Sequence, residues 1–168
     1  NVVIAAAGNR DTDKGVTYRM PSPLANRFLH LEVEVNHEVW QNWAIDNDII
    51  PDVVGYLAFA KQDLFDFDPK SSSRSFATPR SWAFVSQMLE DSDMTHDEEM
   101  DIVTGLVGEG MAIKFMNHKK NAANLPKPSE ILSGKVKELK KLEISSKYAL
   151  TVGMSYELKG IQDSGDDK

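Results

Sequence analysis

Residues 2 to 10 read VVIAAAGNR, and how this stretch is read decides the fold. Six successive apolar residues, Val2 to Ala7, leave no wet face. That is the pattern of a central strand in a parallel sheet covered on both sides. Gly8 ends the run and sets Asn9 and Arg10 just beyond it, where open α/β sheets hold their ligands past the carboxyl ends of the strands. This location is the case for a functional Asn9; a turn asparagine bonding its own backbone is the plain alternative. Arg10 carries less weight. The strand begins directly after Asn1 with no polar lead-in, so the start is expected to be a cut inside a longer protein.

Composition bounds what the chain can be. With 168 residues it is long enough for one core plus a satellite. Apolar residues make up 41% and charged residues 27%, as in ordinary globular chains. A net charge of -7 opposes a general nucleic-acid-binding role, because no broad basic field offsets phosphate repulsion. The absence of cysteine excludes disulfides, thiol catalysis and cysteine-held metals, and fits the cytoplasm. No apolar run approaches the roughly 20 residues of a membrane span, and no leader pattern is present, so no membrane partner is expected.

Downstream of the first run the period changes. Ser22-Pro23 pairs an N-cap with a proline and opens a short helix to about Arg27. Between Phe28 and Val35, Leu29, Leu31, Val33 and Val35 alternate with polar residues, the pattern of an edge strand with one wet face. Asn36 then caps a helix to about Asp46, and Pro51-Asp52 starts another with Val53, Val54, Leu57, Ala58 and Phe65 on its apolar side. FDPKSSSRSFATPR (residues 67–80) is a serine- and proline-rich connection, after which Thr78-Pro79 restarts helix. Thr95 and Glu98 form a capping box for the next helix. Residues 121 to 129 read as a loop, 136 to 142 as a lysine-rich helix, and 148 to 158 as a last helix.

Two further arginines are candidates for chemistry. Arg27 closes a short helix, where a cation complements the C-terminal dipole; from such a rim it can also reach a transferring phosphoryl group across an interface. Arg80 lies in the first turn of a helix, where the dipole disfavours a cation, so an anion should compensate it. Either a carboxylate or a phosphate held jointly by Arg80 and the helix end fits. His30, His37, His96 and His118 lack metal-ligand spacing, and no metal site is expected. Gly105, Gly108 and Gly110 lack the dinucleotide-binding order. Lys135, Lys137, Lys140 and Lys141 read as a solvated face.

Taken in order, VVIAAAGNR, RMPSPLANRF with LHLEVEV, and FATPRSWAFVSQML resemble AAA+ ATPases of the MoxR and dynein-related branch. The match covers roughly residues 1 to 90, with residues 91 to 160 resembling a C-terminal extension. The resemblance implies an α/β fragment, the last two strands of a P-loop sheet, unpaired with each other, followed by an all-α helical lid and extension. Residues 1–36 would end the α/β body, 37–118 form the lid, 119–160 the extension and 161–168 a disordered tail. Asn9 would match sensor 1, which orients the attacking water, Arg27 the arginine finger acting on a neighbouring subunit, and Arg80 sensor 2 of the lid. It further implies ATP and Mg²⁺ in the complete protein, a homo-oligomeric ring, a remodelled protein client and a cytoplasmic setting. No G-x-x-x-x-G-K-[ST] and no apolar run ending in Asp-Glu occurs in the 168 residues, so this chain alone is expected neither to bind nucleotide tightly nor to hydrolyse ATP. The alternative is a non-enzymatic helical module that docks a protein partner.

Overall fold

A computed structural model describes residues 2–9, 20–90, 93–136, 138–139 and 141–163. Among these residues there is no β-strand, which overturns the expected α/β fragment. Residues 2–9 and 29–35 carry no regular structure, and their apolar side chains face solvent: Val3 is 95% and Val33 93% exposed. The physical reason lies in the backbone. A strand satisfies its N–H and C=O groups only through a neighbouring strand, and among the described residues neither run meets one. The remainder of the described chain is mostly helical.

The chain divides into two compact units. The first comprises residues 1–34 and 68–72. Among its described residues the helix is the single turn α1 (Ser22–Ala25), with Pro23 in the first turn. Two side chains take up carbonyls at its end: the Arg27 guanidinium donates to Pro23 O at 2.5 Å, and His30 Nε2 lies 2.9 Å from Ala25 O. Arg10 and the rest of the loop through Arg19 lie outside the described residues.

The second unit, residues 35–67 and 73–168, holds the core. Asn36 caps α2 (His37–Asp46) by accepting from Val39 N at 3.0 Å. Helix α3 (Pro51–Phe59) begins on its proline and is buried throughout from Val53 to Ala58. So uniformly apolar a helix must be covered all round, and α4 (Pro79–Leu89), α6 (Glu109–Ala122) and α8 (Ile144–Asp163) contribute to that cover. Helix α5 (His96–Val107) packs on α4 and α6 and opens on the expected box, with Thr95 and Glu98 each accepting from the other's backbone N–H.

Gly108 joins α5 to α6 at φ +88°, a backbone region that side chains disfavour. A Cβ there would also lie 3.0 Å from Ser75 O. Ser75 fastens the connection to the same corner by donating from its hydroxyl to Gly105 O at 2.6 Å.

Two segments depart from the spacing. Helix α6 runs to Ala122 and α7 (Pro128–Leu132) starts within the expected loop. The described residues of 136–142 are not helical, since three apolar side chains among like-charged lysines supply too narrow a buried stripe: Leu139 is exposed and Val136 half-buried. Helix α8 continues through Ile161, Gln162 and Asp163, residues assigned from sequence to the tail; 164–168 lie outside the described residues. It reaches back along the chain, where the Tyr156 hydroxyl donates to Ile49 O at 2.6 Å and Lys159 Nζ to Ile45 O at 2.7 Å.

Candidate functional site

The candidate with the most developed local support is the start of α4. Thr78 Oγ1 accepts from Ser81 N at 3.0 Å, and Ser81 Oγ accepts from Thr78 N at 2.8 Å, so the helix end is held by its own side chains. Trp82, fully buried, anchors the next residue: its Nε1–H donates to Asp63 O at 2.9 Å. Pro79 fixes the entry angle of the chain. Arg80 stands exposed between these fixed points, in the first turn of α4. Among the described residues no carboxylate forms an ion pair with it.

Asp63 ties this end of α4 to two other helices. It belongs to a 3-10 turn, Lys61–Leu64, that follows α3. Its carboxylate, almost fully buried, accepts from the Tyr56 hydroxyl at 2.5 Å and from Lys114 Nζ of α6 at 3.2 Å. The Tyr56 phenol is pushed well above its ordinary range by burial first, then by the bond to Asp63 and that group's charge. It therefore stays protonated as a donor. Tyr56, Trp82 and Phe115 meet with ring centroids 5.5 to 5.7 Å apart, so the polar contact sits inside an aromatic cluster.

The other two sequence candidates lie in the first unit, and Arg80 in the second. Asn9 is exposed beyond the apolar run, in a segment without a strand to position it. Arg27 caps α1 through Pro23 O, the local role that its place at a helix end allows. Among the described residues no cluster of His, Asp and Glu is arranged to hold a metal ion.

A cleft of about 330 Å³ opens between the first turn of α3, the end of α6, residues 125–128 and α8. Apolar Pro51, Leu125, Pro126 and Ala149 line it together with Asp52 and Lys119. Burial raises the Asp52 carboxyl, nearby Lys119 opposes this and Glu99 adds to it. Lys119 donates to Glu99 Oε1 at 2.6 Å, so the lysine is already shared between two carboxylates. Sequence reading missed this group, because residues 52, 99 and 119 are brought together only by helix packing. It also passed over Asp63, and it took His118 for a surface or strand-face residue, whereas the side chain is buried. For His118 a signal exists: it continues the buried stripe of Ala112 and Phe115, so it belongs on the inner face of α6.

Comparison of the chain with protein-family models, curated proteins and solved structures finds no match.

Proposed function

We propose that this chain acts as the C-terminal portion of an AAA+ ATPase, in which binding and hydrolysis of ATP drive the remodelling of a protein client. The reading rests on Arg80: a cation without a carboxylate partner among the described residues, in a helix turn that disfavours it, held at a rigidly anchored helix end. A phosphate group is the compensating anion that suits a guanidinium fork, held by Arg80 itself, since the capping box already takes up the N–H groups of Thr78 and Ser81. Arg80 acts as sensor 2, closing the helical lid, residues 37–118, on the nucleotide, while Arg27 acts on a neighbouring ring subunit and Asn9 orients water. Among the described residues no carboxylate cluster makes up a holding site for Mg²⁺. The cytoplasm is the compartment that suits such a ring.

Reading the coding sequence ahead of Asn1 is the first test. A phosphate loop and an Asp-Glu strand within about one domain length support the ATPase; a start codon directly before Asn1 overturns it. In the complete protein, Arg80→Ala weakens ATP binding, whereas Arg27→Ala leaves binding intact and slows turnover by about 10³-fold or more. Turnover untouched by both changes removes the assignments.

A second reading, a non-enzymatic interaction module, draws on Phe84 and Met88, which lie one turn apart on α4 and are 45% and 50% exposed. It requires that the partner still bind when both arginines are alanine and that binding fail in Phe84→Ser.

A further inference from the structure

We propose that His118 is an acid-sensitive lock between α3, α6 and α8, and that proton uptake by its imidazole releases α8. Among the described residues no hydrogen-bond acceptor and no carboxylate meets its ring nitrogens. The side chain is 6% exposed, and neither ring nitrogen has a hydrogen-bond partner. Phe59 stacks on the ring at 6.4 Å and 12°, and Tyr56 meets it edge-on at 5.6 Å. Gly55 completes the pocket: a Cβ there would lie 3.3 Å from Ala149 Cα and 3.7 Å from His118 Nε2. Residues 55 and 59 of α3 thus meet the imidazole on one side and α8 on the other, Gly55 against Ala149 and Phe59 with its ring 6.2 Å from that of Tyr148.

A neutral imidazole leaves one N–H unsatisfied in this pocket; the cation leaves two and adds a buried charge. The charged and titratable groups on the packed elements are committed elsewhere or do not act on it. On α3 and the turn after it, the Tyr56 hydroxyl is spent on Asp63, and Asp52 interacts with Lys119 and Glu99. On α6, Lys114 is bound to Asp63 and Lys119 to Glu99 of α5. On α8, Lys147 and Tyr148 are exposed. Burial alone holds the His118 imidazole below its ordinary value. His37, on the other flank of α3, donates from Nε2 to Leu57 O at 2.8 Å and has an unpartnered, buried Nδ1. It too is lowered, chiefly by burial, with Leu57 O and Glu38 opposing and Lys61 adding to the effect.

Because the folded value lies below the unfolded one, stability is full above about pH 6.5. It is lost as pH falls through that value, where the unfolded or released state takes up the proton first. Hydrogen exchange of the whole chain, corrected for the intrinsic pH dependence, tests this between pH 7.5 and 5.5. The α8 amides lose protection by up to about tenfold for each pH unit below 6.5, while His118→Phe, which keeps a stacked ring, removes that dependence. Unchanged α8 protection in the wild type, or an undiminished pH dependence in His118→Phe, overturns the proposal. Should the variant fail to fold, proton NMR of wild-type His118 decides: titration in the folded state below 6.5 sustains the lock, and titration at or above 6.5 overturns it.

Discussion

Val2, Val3 and Ile4 at one end of the chain and Val53, Val54 and Leu57 in α3 are the same kinds of side chain, yet the first three are 70 to 95% exposed and the second three are fully buried. Hydrophobicity does not separate them. A helix closes its hydrogen bonds within itself and then seeks cover for its side chains, whereas a strand depends on a neighbour for both. Helix α3 finds its cover in α4, α6 and α8. The described residues of the first unit offer residues 2–7 no ladder, and burial of their side chains fails with it.

The largest test of this contrast is Trp82→Ala, which empties a fully buried site and removes the donor to Asp63 O. Urea unfolding followed by circular dichroism should show a loss of about 3–5 kcal/mol, and a loss below about 1 kcal/mol would mean that the second unit is not held by this core. Gly108→Ala comes next. Its positive φ and the Ser75 carbonyl 3.0 Å from the new Cβ predict a loss of about 1–3 kcal/mol in the same assay. Val3→Ser has the smallest effect, within about 0.5 kcal/mol, because it removes no buried contact in this chain. A loss as large as that of Gly108→Ala would show that residues 2–7 are packed in solution, and the contrast between the two regions would break.

The starts of α2, α4 and α5 were legible in the sequence because their signals are local. Asn36, Thr78-Pro79 and the Thr95/Glu98 box act within one turn, and each marks a helix start in the structure. Of the apolar side read for α3, Val53, Val54, Leu57 and Ala58 lie in the core, whereas Phe65 falls beyond the helix and is exposed. The strands were not legible, since Val2–Ala7 and Leu29–Val35 show what a strand would look like given a partner, and a partner is not a property of the segment. The site was legible only in part. Arg80 announced itself as a cation at the wrong end of a helix, and the structure leaves it without a carboxylate among the described residues. Asp63, by contrast, is an ordinary aspartate in KQDLF until Tyr56, Trp82 and Lys114 converge on it from three helices.

The bonds from Tyr156 to Ile49 and from Lys159 to Ile45 span 107 and 114 residues. Such distant closures carry a chain-entropy cost that is recovered only late in folding. During synthesis, α3 leaves the ribosome long before α8 exists to cover it, and α3 is the most uniformly apolar helix of the core. The nascent protein therefore passes through a stage with this helix only partly covered, by α4 and α6, when chaperone capture competes with folding. Emergence of residues 144–163 ends it.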